Sequence, residues 1–176
     1  MGCDIHQINI LIDAKTKKPY EFSGETTFGE EADYKSEFKP LIEGRCYDWF
    51  GILAGVRADA FEIRDNVHKD IPEELPEDIK KTLEDPDYCF HSFTWYYMAN
   101  LRKELKWTLK KMRMYVRARA VNDPEFISGG DIDEWRWNME AVKHWIGILD
   151  GIQETLSLRG HGEDFVSSKI FFFFDS

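Results

Sequence analysis

Cysteine is scarce in this chain. Its three cysteines, Cys3, Cys46 and Cys89, are odd in number and lack any Cys-x-x-Cys spacing. That argues against a zinc knuckle or a disulfide framework, and predicts reduced thiols in a cytoplasmic compartment. No run of about 18 consecutive apolar residues occurs, so no membrane span is expected. The first residues include Asp4 and His6, where a secretory signal would need a basic start and an apolar stretch, so no leader is expected either. Internal repeats and low-complexity tracts are also missing. Positive charge is in deficit, with 23 Lys and Arg against 33 Asp and Glu and a formal net charge of −10. Such a surface repels a polyanion at long range, so bulk nucleic acid is not an expected partner.

What is present suits a folded globule. Of 176 residues, 43% are hydrophobic, 15% aromatic and 32% charged, enough apolar surface for one domain spanning 1–176. The bases are unevenly placed. Eight of them lie between Arg102 and Arg119, beside a single acid, Glu104.

Residues 4–12 read Asp-Ile-His-Gln-Ile-Asn-Ile-Leu-Ile, a strand by its β-branched content and alternation. Asp4, His6, Ile8, Ile10 and Ile12 then share one face and Ile5, Gln7, Asn9 and Leu11 the other. The first face is the more apolar, so Asp4 and His6 are expected to point toward the core side, where a pocket could open. Lys15–Pro19 predicts a turn, with Tyr20–Phe22 pairing back as a hairpin. Residues 23–44 are polar and predict a loop; a helix over Tyr47–Ala54 should stop at Gly55. The stretch 59–88 is acidic, broken by Pro72, Pro76 and Pro86, and insertion-like, with one short helix near Glu77–Leu83. Two long helices follow. One carries Met98, Leu101, Leu105, Leu109, Met112 and Val116 at spacings of three and four. The other starts near Asp131 and carries Ile132, Trp135, Met139, Val142, Ile146 and Leu149. A strand within Phe165–Asp175 closes the order, too apolar at Ile170–Phe174 to be an edge. The fold class expected is α+β, an antiparallel or mixed sheet with central N- and C-terminal strands against two long helices and a short one.

Asp4 and His6 are the most site-like pair. Two apart on a strand, they are placed to share a metal ion, or the acid could orient the imidazole. An Asp-x-His also opens the calcineurin-like metallophosphoesterases, but their Gly-Asn-His and Gly-His-x-His segments are missing here. The plainer reading is a buried, hydrogen-bonded pair. His91 and Ser92 precede a helix expected to start near Thr94–Trp95. There Ser92 or Thr94 would cap it, and the dipole would keep His91 neutral, as base or ligand. Arg45 and Arg57 flank the short helix with Tyr47, and a guanidinium fork suits phosphate; surface ion pairs are the dull alternative. Asp175 ends the Phe-rich strand, beside Asp4 if the two strands pair, or merely solvated. His161, between Gly160 and Gly162, suits a mobile loop. The basic stretch 102–119 reads as solvated ridges paired with Asp131, Asp133, Glu134 and Glu140 of the partner helix. Lacking interleaved exposed aromatics, it offers no stacking platform.

Taken together, several segments resemble one family. These are Met1-Gly2-Cys3-Asp4-Ile5-His6, Arg45-x-Tyr47-x-x-Phe50 running into Leu53-Ala54-Gly55-Val56-Arg57, His91-Ser92, and the closing Phe173-Phe174-Asp175. They resemble, in order, a family of bacteriophage and prophage proteins sharing the Met-Gly-Cys-Asp-Ile-His opening. The match covers about a quarter of the chain and is specific to the family, not to an activity. It implies phage origin, expression in a bacterial cytoplasm, and a functional cluster drawn from Asp4, His6, Arg45, Tyr47, Arg57, His91, Ser92 and Asp175. Three positions depart from the family. Cys89 stands where an Asp precedes His-Ser, Glu73-Glu74-Leu75-Pro76 replaces Arg-Gly-Leu-Pro, and Phe174-Asp175-Ser176 replaces Phe-Asp-Asn.

These residues support two expectations of different kinds. One is a phosphoester hydrolase acting on a nucleotide-like small molecule, with or without a divalent metal, to counter host immune signalling. In it His6, His91 and Asp4 are catalytic, and Arg45, Tyr47, Arg57 and Ser92 bind substrate. Asp4, His6, His91 and Asp175 would hold any divalent Mn, Zn or Mg. The other is a non-catalytic sponge that grips such a nucleotide through Arg45, Arg57 and Tyr47. A third, plainer expectation is an acidic inhibitor of a host defence protein. A homo-oligomer is left open.

Overall fold

The strand predicted at the N-terminus forms because Ile, Leu and Asn alternate with no helix-favouring run to compete. In the computed structural model, which describes residues 5–24, 41, 52–53, 67–128 and 131–175, it spans Ile5–Ile12 (β1). A turn follows, tied by the Asp13 side chain to the backbone N–H groups of Lys15 and Thr16, and β2 runs back over Pro19–Gly24. The predicted hairpin is thus observed, and its second strand runs one residue before and two beyond the expected Tyr20–Phe22. At its end the Gly24 backbone has φ 102°, and a Cβ there would meet the Gln7 carbonyl oxygen at 2.3 Å. Only glycine lets the strands close so tightly.

The remaining strands are β3, His91–Tyr97, and β4, Lys169–Phe174. All pairs are antiparallel, in the order β2-β1-β4-β3. The first and last strands are therefore the central pair, as the pattern predicts. Every residue of β4 is buried, consistent with cover on both faces.

β3 corrects the expected order. The helix anticipated from Thr94–Trp95 begins only at Met98, as α2 over Met98–Asn122. Residues Phe93, Trp95, Tyr96 and Tyr97 are aromatic and fit a pleated surface better than a helix turn. Ser92 and Thr94 accordingly cap nothing, and His91 feels no helix dipole.

Helices cover both faces. The short helix α1, Glu77–Glu84, buries Ile79 and Leu83, with Leu75 before it, against Ile8, Ile10, Phe171, Phe173 and Trp95. The acidic stretch read as insertion-like therefore supplies one cover of the sheet. A five-residue helix, α3 (Pro124–Ser128), joins α2 to α4, Asp131–Leu158. On the other face α2 and α4 pack Leu101, Leu105, Val142, Leu149 and Leu156 against Ile5, Tyr96, Phe172 and Phe174. They are antiparallel: Arg102, early in α2, meets Asp150 late in α4 at 3.1 Å, while Tyr115 meets Trp135. The last helix, α5, is a single turn, Asp164–Ser167, where the sequence pattern had extended the closing strand.

The odd-numbered face of β1 therefore also lies in a core. Gln7 and Asn9 are buried there, and they satisfy one another. Gln7 Nε2 donates to Asn9 Oδ1, Asn9 Nδ2 donates to Ser23 Oγ, and the Leu41 N–H donates to Gln7 Oε1. A buried amide without such partners would cost about 1–3 kcal/mol.

The ion pairs of α2 also differ from expectation. Arg102 and Lys106 reach Asp150, and Arg119 pairs with Asp123. Asp133 and Glu140 instead pair within α4, with Arg136 and Lys143. Exposed aromatics do interleave with these bases, contrary to the sequence reading: Trp107 and Tyr115 are exposed, and Lys111 Nζ lies 3.5 Å over the Trp107 ring. No helix among the described residues is long and apolar enough to cross a membrane.

Candidate active site at the open end of β1 and β4

The antiparallel register decides what meets at this end. His6 lies opposite Phe173, and Ile5 and His91 lie on either side of Phe174. Directly opposed residues share a face, and successive residues alternate. His6 therefore belongs to the Phe173 face and His91 to the Phe174 face. The ring contacts agree: His6 stacks on Phe173 at 4.9 Å, and His91 on Phe174 at 6.2 Å.

His6 is held on three sides. Phe173 lies beneath it, Phe90 meets it edge-on at 5.6 Å, and the Asp175 carboxylate stands 3.4 Å from Nε2. Phe90 is itself packed edge-on against Phe173 and stacked with Tyr88. The imidazole side chain is only 17% exposed and the carboxylate 36%. The ring is thus fixed by packing, and the more exposed acid lies at the solvent side. This pairing fits a carboxylate orienting an imidazole, the arrangement a general base needs.

His91 and Ser92 form a separate unit. His91 Nδ1 lies 2.9 Å from Ser92 Oγ. The register slips here, since three residues from His91 to Thr94 span two of β4, and Ser92 has φ 55°. A bulge of this kind re-aims side chains at the end of a strand. A left-handed serine is also strained, which is more often found at functional positions than elsewhere.

Of the other expected site residues, Asp4, Arg45, Tyr47 and Arg57 lie outside the described residues, as do the loop 25–40 and most of the helix expected over 47–54; Ile52 and Leu53 are helical and buried. Tyr96 donates its hydroxyl hydrogen bond to the Leu53 carbonyl, tying that stretch to β3. Its burial, reinforced by Glu104, pushes the phenol well above the ordinary range. Among the described residues no three His, Cys, Asp or Glu side chains gather to hold a metal. Of the four donors expected, His6 and Asp175 meet, and His91 lies on the other face.

Two polar clusters escaped the sequence reading. In one, Lys169, only 5% exposed, sets its Nζ 2.7 Å from both Glu74 oxygens and 3.9 Å over Trp95. His68 stacks on Trp95 with ring centroids 3.7 Å apart, and Trp95 Nε1 donates to Asp70. A lysine opening a run of phenylalanines is the one signal that could have marked this buried pair. The other cluster joins His161, Asp164 and Tyr20 at the opposite end of the sheet, and its signal was the His-x-x-Asp spacing at the head of a short helix.

Compared with protein-family models, with curated proteins and with solved structures, the chain matches none.

Proposed function

We propose that the chain hydrolyses a phosphoester of a nucleotide-like small molecule, with His6 as general base and Asp175 as its positioning acid. The observation that carries this reading is the 3.4 Å His6–Asp175 pair at a sheet end, with the imidazole fixed between Phe90 and Phe173. With Asp175 facing Nε2, the lone pair on Nδ1 is the one that takes a proton from the attacking water. Ser92, beside His91 on the bulge, supplies a hydroxyl to the substrate. Arg45 and Arg57 would meet phosphoryl charge and Tyr47 would stack on a base, in keeping with the family resemblance. Were a divalent ion shared by Asp4 and His6 instead, the imidazole would be its ligand rather than the base, and the ion would polarise the phosphoryl oxygens. The same resemblance supports a phage-encoded protein working in a bacterial cytoplasm against a nucleotide signal of the host.

The test is chromatography of cyclic dinucleotides, cyclic ADP-ribose isomers and ordinary nucleotides after incubation with substoichiometric protein, with and without Mn²⁺ or Zn²⁺. New products support the reading, and His6→Ala should then lower turnover by about 10²–10⁴-fold, the usual contribution of a positioned base. A ligand retained by the protein and released intact on heating would replace the hydrolase by a sponge. A panel neither bound nor changed would end the small-molecule reading and leave the acidic protein-binding inhibitor.

A further inference from the structure

We propose that His161 and Asp164 form a second, separate His–carboxylate site, whose imidazole acts as general base in the hydrolysis of small neutral carboxyl esters. The local fold builds it in three steps. First, α4 ends at Leu158, and the chain turns through Gly160, whose φ is 79°. The His161 N–H bonds to the Leu156 carbonyl and the Gly160 N–H to that of Ser157, a paired closure that needs a left-handed residue between them. Second, that turn delivers His161 onto the following helix, where its Nδ1 lies 2.9 Å from Asp164 Oδ2. Third, Asp164 is itself fixed. It is 5% exposed, its Oδ1 accepts the Ala14 N–H at 2.8 Å, and it accepts the Tyr20 hydroxyl.

The chemistry follows from which nitrogen is engaged. Facing a buried carboxylate, Nδ1 carries the proton and Nε2 keeps its lone pair. The imidazole side chain is 49% exposed and lines a cavity of about 530 Å³, together with Lys15, Ser157, Gly162 and Glu163. As water's oxygen bonds to the ester carbonyl carbon, Nε2 takes the water proton. When the tetrahedral intermediate collapses, the carbon–oxygen bond to the alcohol breaks and the leaving oxygen takes that proton back. Ester and water become acid and alcohol, with no other reactant. Asp13, Glu163 and Asp164 outnumber Lys15 around the cavity, which disfavours anionic ligands and separates this site from one that grips phosphate. Asp13 spends its charge on the Thr16 and Lys15 N–H groups, which hold its carboxyl below the ordinary range.

The experiment uses the full chain with p-nitrophenyl acetate, and p-nitrophenyl phosphate as the anionic control. Release of p-nitrophenolate from the acetate should fall about 10²-fold in His161→Ala and be unchanged in His144→Ala, an exposed histidine of α4. His161→Gln and circular dichroism control for folding. Nitrogen-resolved NMR of the unmodified protein should show His161 with its proton on Nδ1, a signature that Asp164→Asn should abolish. An Nε2-protonated His161, acetate cleavage equal to buffer, or equal rates with and without the His161 imidazole would each overturn the proposal. Loss of acetate cleavage in His6→Ala instead would assign the activity to the other end of the sheet. A failed nucleotide assay leaves this result untouched, since the two sites share no residue.

Discussion

The two ends of the central strand pair carry the same two functional groups with opposite burial. At one end the His6 imidazole is 17% exposed and its Asp175 carboxylate 36%; at the other the His161 imidazole is 49% exposed and its Asp164 carboxylate 7%. The first arrangement fixes the ring by aromatic packing and leaves the acid partly exposed. The second fixes the acid by hydrogen bonds and leaves the ring facing a cavity. A buried carboxylate with several donors is a strong orienter, because each N–H or O–H favours its charged form. A stacked imidazole is oriented instead by shape. One pairing therefore depends on core packing and the other on a hydrogen-bond set, and mutations should separate them.

The largest effect should come from Phe173→Ala. Phe173 is fully buried between His6 and the α1 core, and phenylalanine truncations in such places cost about 3–5 kcal/mol. Urea unfolding would measure it. A loss below about 1 kcal/mol would mean that the His6 platform is not packed as described.

Next is the buried pair at the start of β4. Glu74→Leu leaves the Lys169 ammonium buried without its carboxylate, with an expected loss of about 3 kcal/mol. Pairing it with Lys169→Met should recover most of that. If the double variant is no better than the single one, the cation's packing over Trp95 matters more than its charge partner.

A direct comparison of the two acids sharpens the contrast. Asp164→Ala strips acceptors from Ala14 N–H, His161 and Tyr20, and should cost about 1–3 kcal/mol. Asp175→Ala removes a partly exposed charge and should stay within about 0.5 kcal/mol. Equal losses by thermal unfolding would erase the asymmetry between the ends. Between these two lies Gly160→Ala, about 1–2 kcal/mol for a left-handed backbone, with His161 displaced from Asp164 as the accompanying NMR readout.

How much of this was legible in the sequence depends on which kind of signal each element carried. The Ile-rich and Phe-rich strands and the two long helices have periodic apolar stripes, and periodicity survives folding because it is what the core selects. β3 was hidden by competing local signals: Ser92 and Thr94 look like caps, and only the aromatic run argued for a strand. At the candidate site His6 was visible from its strand face, and Asp175 was named on the condition that the two strands pair; that its carboxylate meets His6 follows only from the β1–β4 register. The His161 cluster was still less legible. It needs Tyr20, from β2, and Asp164, from α5, and no sequence spacing connects residues 144 apart.

Tyr20 offers the finest test of that second end. Its phenol is pushed up to about 12 from an ordinary value of 10, first by burial, then by the hydrogen bond to Asp164 and that carboxylate's charge, with Glu21 adding and Arg159 opposing. Although 43% of the residue is exposed, its hydroxyl is the end turned to Asp164. The folded state therefore favours the protonated phenol. This stabilisation is complete below pH 10, where both states are protonated, and is lost as pH rises through about 12, where the folded phenol also ionises. Absorbance titration should show one tyrosine ionising near 12 that disappears in Tyr20→Phe and shifts down in Asp164→Asn. A Tyr20 midpoint near 10 would mean that Asp164 has only two donors, and that His161 is held by a looser acid than the one described.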